Sequence, residues 1–326
     1  MKISVGVETF ASLEEPWRQL LSDCAVNHVF LLPEWQRAWW HAFGASSEML
    51  LLSVRQKGEL LGIAPLQRNS NGISFIGGSD VCDYMDFITR RGEEAAVFTC
   101  LLDYLGEMDW DRIELNSLLP RSLALSHFVP LARQRGYQTE ITQEDVSPEL
   151  VLPSNWDEYF ALLTTKNRHE VRRKMRRLEK VGLTRFYAIS QSEQIAQALP
   201  DFFRLFRLSA GEKADFMTAP RRVFFETLAG SLSEAGYLRL YCLELDGRRV
   251  SYAICFDYEN ELYLYNSAYD PASGSANVGL MLKLNCLRES IMAGKRRFDF
   301  LRGKERYKYE LGGQDVPVYR CVISRG

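Results

Sequence analysis

Glu261-Leu-Tyr-Leu-Tyr-Asn-Ser-Ala-Tyr-Asp270, Pro271-Ala-Ser-Gly-Ser-Ala-Asn-Val-Gly279 and Arg297-Phe-Asp-Phe-Leu301 form the stretch whose reading decides the fold. The first run alternates apolar and polar residues and reads as a strand. The second is a turn of small residues that opens an apolar-striped helix, expected from about Asn277 to Ala293. The third is again a strand, so the order is strand, small-residue turn, helix, strand. Ser273, Gly274, Ser275 and Gly279 carry little side chain, which lets backbone N–H groups at the helix start face an incoming anion closely. Such a helix N-terminus binds phosphate or carboxylate without a basic side chain. An ordinary βαβ turn has the same pattern, so the glycines alone leave both readings open.

At 326 residues the chain exceeds the usual single-domain size, so two domains or one duplicated domain is expected. Forty basic residues against 42 acidic ones give a net charge of −2, which excludes a globally basic nucleic-acid binder while allowing a local basic patch. Cys24, Cys82, Cys100, Cys242, Cys255, Cys286 and Cys321 are scattered, with no C-x-x-C pair. Most sit among apolar neighbours, which reads as buried thiols in a reducing compartment and argues against a disulfide framework or a zinc site. No metal is expected. No run is long enough to span a membrane, and Glu8, Glu14 and Glu15 stand where a signal peptide would be apolar. A cytoplasmic protein is expected.

From the N-terminus, helices are expected over Leu13 to Asp23 and Glu34 to Phe43, the latter with Trp35, Trp39 and Phe43 on one face. Three strands follow, Met49 to Gln56, Leu60 to Gln67 and Gly72 to Gly77, joined by short polar turns as an antiparallel meander. The acidic cluster Asp80-Val-Cys-Asp83-Tyr-Met-Asp86 precedes a helix over Glu93 to Glu107, a strand over Asp111 to Asn116, a helix over Ser122 to Arg135 and a strand near Gln138 to Thr142. The second half repeats the order, with strands over Tyr237 to Leu245, Val250 to Asp257 and Glu261 to Ser267. Gly58 matches Gly247 and Ile113 matches Phe298 at nearly the same separation, so an internal duplication is the economical reading. Val146-Ser-Pro148 and Pro153-Ser-Asn155 read as a crossing segment between the halves, followed by a helix over Asn155 to Leu163. The helix Lys166 to Lys180 holds eight Lys or Arg against two Glu, with Val171, Met175 and Leu178 on one side. So concentrated a charge reads either as a solvated face or as an anion-binding wall.

Lys166 to Leu178, Val250-Ser-Tyr-Ala-Ile254, Asp270, Gly279 and above all Phe298-Asp-Phe-Leu-Arg-Gly-Lys-Glu-Arg-Tyr-Lys308 resemble the GNAT-fold acyltransferases of the CelD/FemAB-like branch, associated with bacterial polysaccharide and cell-envelope synthesis. Pro33-Glu-Trp35, Ala64-Pro-Leu66 and Asp83-Tyr-Met-Asp86 resemble that family's first half. Leu205 to Met217 departs from the family, which usually has an aromatic-rich substrate element there. The resemblance implies an α/β fold with mixed sheets in two tandem GNAT-like domains. Residues 1–147 would be a degenerate domain walling the acceptor, and residues 148–326 would hold the acyl-donor site.

It further implies acyl transfer from acyl-CoA, acetyl-CoA first, to an amine or hydroxyl of a sugar, polysaccharide precursor or other small acceptor, in association with an envelope or polysaccharide synthesis system. The alternatives are aminoacyl transfer from tRNA, which close relatives use, and a catalytically silent binding subunit. The donor's pyrophosphate would sit on Ser273, Gly274, Ser275, Asn277, Val278 and Gly279, between strands splayed to admit the pantetheine arm. Backbone N–H groups of Ser267 and Ala268 would serve the oxyanion, and Tyr307 lies where GNAT enzymes often carry the acid. Asp270 and Asp299 are the candidate bases, Asp299 being turned by alternation to the face opposite Phe298 and Phe300. Asp83, Tyr84 and Asp86 are candidate acceptor contacts, with Arg168 and Arg172 as candidate anion contacts. Lys304 and Lys308 are candidates for the donor's phosphates or for solvent. Cys82 has no His partner nearby in sequence that would make it a nucleophile.

Overall fold

The computed structural model describes residues 3–209 and 216–325. The elements in chain order begin with β1 (Ile3–Val7), α1 (Phe10–Ser22), α2 (Pro33–Phe43), β2 (Glu48–Gln56), β3 (Glu59–Asn69), β4 (Gly72–Phe75), β5 (Ile88–Thr89), α3 (Glu94–Glu107), β6 (Arg112–Leu118), α4 (Val129–Gln134) and β7 (Gln138–Val151). They continue with α5 (Trp156–Leu162), α6 (Thr165–Val181), β8 (Thr184–Ile189), α7 (Ser192–Ser209), α8 (Ala219–Glu234), β9 (Leu238–Leu245), β10 (Arg248–Tyr258) and β11 (Glu261–Tyr269). The last are α9 (Val278–Met292), β12 (Arg297–Asp299), α10 (Arg306–Glu310) and β13 (Gln314–Ser324). Two compact units result, one of residues 3–145 and 316–325 and one of residues 146–315. The chain's last strand thus lies with the first unit.

The first unit's sheet runs β1-β2-β3-β4-β6-β13, with β5 paired to β3. Short turns dictate the meander. Lys57 and Gly58 both have positive φ, the geometry of a two-residue hairpin that matches strand twist. β4 and β6 run parallel over only Ile73–Ile113 and Ser74–Glu114. The core packs Trp17, Trp35, Phe75, Phe87, Phe98 and Phe128, all fully buried.

The second unit repeats the plan. Asp246–Gly247 and Glu259–Asn260 have the same paired positive φ values and fold β9, β10 and β11 into a meander. β11 then meets β12 in parallel, and β12 pairs antiparallel with Glu149–Val151 of β7. α9 lies under this sheet with Val278, Leu282, Cys286 and Leu287 fully buried against Ala253, Cys255 and Leu262. β8 and the helices α7 and α8 were not apparent in the sequence.

The segment around Val146 to Pro148, expected to cross between the halves, is where the chain passes from the first unit to the second, and it does so within the strand β7, with the Pro148 carbonyl accepting the N–H of Phe300 at 3.0 Å. The helix expected over Ser122 to Arg135 is present from Ala124 to Gln134, its first part, Ala124–Phe128, being a wider π-helical segment that runs into α4. Within the Leu205–Met217 segment, residues 210–215 lie outside the described residues.

Gly72 makes the sharpest steric demand in the first unit. Its φ is +111°, and a Cβ there would lie 2.3 Å from the Arg112 carbonyl oxygen. Gly72→Ala is therefore expected to destabilise this unit by about 2 kcal/mol or more, read by urea denaturation.

Candidate active site

The site is built where a parallel strand pair comes apart. β11 and β12 are in register at Glu261–Arg297, Leu262–Phe298 and Tyr263–Asp299, and there the pairing ends. β11 continues to Tyr269 without β12 beside it. Two features force the parting. Tyr265 is a bulge residue, since Ile254 opposes Asn266 while Cys255 opposes Leu264, and a bulge bends its strand and sharpens its twist. On the other side the chain leaves β12 in a turn in which Leu301 takes φ +60°.

Asp299 and Lys308 hold that turn. Asp299 is fully buried, and its Oδ1 accepts the Leu301 N–H at 2.8 Å. Buried Lys308 donates from Nζ to the Leu301 carbonyl at 2.7 Å and to the Arg302 carbonyl, and pairs with Glu305 at 3.0 Å. Alternation foresaw that Asp299 leaves the face of Phe298 and Phe300. It could not foresee that the strand ends at Asp299, so the carboxylate turns onto its own backbone. Asp270 likewise caps its neighbourhood, accepting the Ala272 N–H at 3.0 Å. Neither carboxylate lines a cavity beside the parted strands.

Two cavities flank the opening. One, of about 480 Å³, is lined by the start of α9 (Asn277, Val278, Gly279, Leu280), by Gly274, and by Lys174, Arg306 and Glu310. The other, of about 340 Å³, is lined by Leu264 to Ser267 of β11, by Phe206 and Ser209 of α7, and by Glu305. Tyr269, Lys283 and Tyr307 line both and so form the wall between them.

At the helix start the amides divide into used and available. Asn277 caps α9 in the left-handed region at φ +57°, and its carbonyl takes the N–H groups of Leu280 and Met281, each at 3.0 Å. That leaves Val278 and Gly279 as the first-turn amides at the cavity. The amides of Ser273 and Asn277 are consumed inside the turn, by the carbonyls of Asp270 and Gly274 at 2.9 Å each. The segment Pro271–Ala276 is a 3-10 helix and not an open loop, because Pro271 starts it and Asp270 caps it. Of the expected anion-site residues, the structure therefore brings Gly274, Asn277, Val278 and Gly279 to the cavity and leaves Ser273 and Ser275 off its lining.

For the oxyanion amides the ladder decides. The Asp270 N–H bonds to the Val250 carbonyl at 2.8 Å, so alternation turns the amides of Ala268 and Asp270 toward β10 and those of Ser267 and Tyr269 toward the open side. Of the two residues, Ser267 thus has its amide on the open side and Ala268 has its amide in the ladder with β10.

Lys283 was missed by sequence reasoning, although a lone lysine in the apolar run Val278 to Leu287 is a legible signal. It is 8% exposed, donates to the Gly279 carbonyl at 3.2 Å and holds its Nζ 4.7 Å from the centre of the Tyr307 ring. The Tyr307 phenol is pushed above its ordinary range, by burial first and by the Glu305 carboxylate second. It keeps its proton at neutral pH. α6 contributes Lys174, paired with Glu310 at 3.0 Å, whereas Arg168 donates to the Ala161 and Leu163 carbonyls and Arg172 stacks on Phe160. Lys304 is exposed.

In the first unit Asp86 is buried and accepts the N–H groups of Phe87, Leu123 and Ala124 at 2.7 to 2.9 Å. It acts there as a cap for the turn that follows, and burial pushes its carboxyl up to about 7. Tyr84 is buried against His28 and Phe30, and Asp83 is partly exposed. Cys82 accepts from Trp35 Nε1 at 3.0 Å, and burial pushes its thiol up to about 12, as suits an unreactive core thiol.

Residues 165–309 match the family described as "Acetyltransferase (GNAT) domain". No curated protein matches the chain. The chain is similar to the crystal structure of FemX at 13% identity and a TM-score of 0.68, over 98% of this chain and 97% of that one. It is similar to the C-terminal domain of a putative lysylphosphatidylglycerol synthetase from Agrobacterium fabrum at 11% identity and a TM-score of 0.58, over 96% and 92%. It is also similar to a tandem GNAT protein from the clavulanic acid biosynthesis pathway at 11% identity and a TM-score of 0.50, over 100% and 99%. The fold is mixed α/β, of the tandem GNAT kind. Among the described residues no helix is long and apolar enough to cross a membrane, and no cluster of His, Cys, Asp or Glu could hold a metal ion.

Asp299→Ala strips a partner from the buried Leu301 N–H and should lower the unfolding free energy by about 1–3 kcal/mol, whereas a carboxylate acting only as a base would leave it unchanged. His28, fully buried, is held neutral with its pKa lowered to about 3, by burial first and Arg121 second. Between pH 6.5 and 3 the unfolded chain binds a proton at His28 that the folded chain refuses, so this group's contribution to stability is lost as pH falls. Asp86 has the opposite slope, its folded pKa being raised, and loses its contribution as pH rises from 3.8 to about 7. In His28→Gln, stability relative to the parent should accordingly rise on moving from pH 7 to pH 4.5, measured by urea denaturation at both.

Proposed function

We propose that the protein is a GNAT-type acyltransferase that moves an acyl group, acetyl first, from acyl-CoA to an amine or hydroxyl of a small acceptor. The single observation that carries this is the divided opening: one cavity borders free helix-start amides, the other borders an aromatic and carboxylate lining, and three side chains separate them. The residues suit a pyrophosphate at the first cavity. Val278 and Gly279 offer amides, and Lys174 and Arg306 outnumber the single Glu310 they both hold. Acyl-CoA supplies an activated thioester carbonyl there.

The protein's own groups would then act as follows. The Ser267 N–H, on the open side of β11, donates to the carbonyl oxygen as charge develops. Glu305, which lines the second cavity, accepts the acceptor's proton, a role that the placement of Asp270 and Asp299 does not favour. Tyr307 keeps its proton and gives it to the departing sulfur. Phe206, Tyr265 and Tyr269 offer faces on which a sugar or similar ring packs, with Asn266 and Ser267 to hydrogen-bond it. A saccharide or polysaccharide precursor is the acceptor class this lining suits, consistent with an envelope-associated role.

Tyr307→Phe is expected to lower kcat by about 10²-fold while the dissociation constant for acetyl-CoA, read by calorimetry, stays within about threefold. Gly279→Leu, whose Cβ would already meet the Tyr269 ring at 3.2 Å, should abolish acetyl-CoA binding without unfolding the chain. Retention of tRNA at low salt with no acetyl-CoA binding would instead make aminoacyl-tRNA the donor. If neither ligand shifts the melting temperature, a silent binding subunit is left.

A further inference from the structure

We propose that the outward face of α6 seats this protein on an anionic lipid bilayer. The helix buries Val171 and Leu178 on one side. At 100° per residue, Lys166, His169, Arg173, Arg176, Arg177 and Lys180 fall within about 100° of one another on the opposite side. All six are exposed, and the two acids lie outside that sector, Glu170 by about 20° and Glu179 by about 60°. Of the six, Arg173 is paired, to Glu170 at 2.7 Å. Lys166, Arg176, Arg177 and Lys180 have no carboxylate within 4.0 Å among the described residues. The Lys and Arg side chains of this stripe, which runs about 21 Å from Lys166 to Lys180 at 1.5 Å per residue, repel one another until an anionic surface neutralises them.

What selects a bilayer over a nucleic acid is the apolar company at both ends of the helix. Leu162, just before it, is 60% exposed, and Val181 and Leu183, at and after its end, are 47% and 80% exposed. A lipid interface accommodates three aliphatic side chains beside a polycation, since headgroup phosphates meet the charges while aliphatic groups enter the acyl boundary. Single-stranded RNA surfaces instead interleave cations with aromatic rings for stacking, and the large apolar residues exposed at these helix ends are all aliphatic. This inference does not depend on the acyl-transfer reading, because none of the six stripe residues lines either cavity.

The test is co-sedimentation of the full chain with phosphatidylcholine vesicles, with and without phosphatidylglycerol, alongside tRNA retention in the same buffer. The wild type should sediment with the phosphatidylglycerol vesicles alone and be released by added salt. Arg176→Glu combined with Arg177→Glu should weaken binding by at least about tenfold, and Leu183→Ser by about threefold, with the melting temperature and acetyl-CoA affinity unchanged. Lys166→Glu with Lys180→Glu repeats the test at the ends of the stripe, should the first pair fail to fold. Equal binding to both vesicle types, wild-type binding by the folded charge variants, or tRNA retention without vesicle binding would each overturn the proposal.

Discussion

Everything at the candidate site depends on two neighbouring strands ceasing to pair. A parallel β11–β12 ladder carried to the end of β11 would leave no room between them. Residue 265 on one strand and residue 299 on the other prevent it. The bulge at Tyr265 redirects the far half of β11. The Asp299 carboxylate captures the amide two residues on, and buried Lys308 holds the carbonyls of Leu301 and Arg302. A leucine at φ +60° is disfavoured, so these bonds are what keep the chain turned away. The cost of the parting is an exposed strand edge. That edge borders the cavities that the start of α9 and the aromatic side chains Tyr269 and Tyr307 line.

The same sheet step occurs in the first unit with a different outcome. β4 and β6 also pair in parallel over just two residue pairs. There, however, the segment after β4 folds back: the Met85 N–H bonds to the Ser117 carbonyl at 3.0 Å and the Ser117 hydroxyl to the Cys82 carbonyl at 3.2 Å. The sulfurs of Met85 and Cys82 crowd the place where Gly77 would carry a Cβ, at 2.6 and 3.3 Å. The edge groups that remain available in the second unit are met in the first by these bonds, and Tyr84 of the same segment packs on His28 and Phe30. The element order was duplicated while the opening was not.

That contrast also explains what the residues could tell in advance. Alternation and two-residue turns made both meanders legible, because strand period and paired positive φ leave local marks at Lys57–Gly58 and Asp246–Gly247. The helix of residues 278–292 and its small-residue entry were legible for the same reason. β8, α7 and α8 have mixed patterns set by what they pack on, and β13 joins the first unit across the whole length of the second, which no local signal announces. Site roles were less legible than elements. Asp270 and Asp299 look like catalytic carboxylates in one dimension, but whether a carboxylate faces a cavity or its own backbone depends on where its strand stops. Tyr307 was placed by its motif. Glu305, two residues before it, was passed over because it reads as one more charge in a polar run.

Lys283 shows how far the arrangement is organised around charge. It sits near the start of α9, where the helix dipole already presents partial positive charge, so a cation there is worse placed by about 0.3–1 kcal/mol than one at the far end. It is also nearly buried, which removes much of its hydration. The Gly279 carbonyl and the face of Tyr307 compensate in part. The lysine thus lies in the wall between the two cavities, with its ammonium against the face of Tyr307.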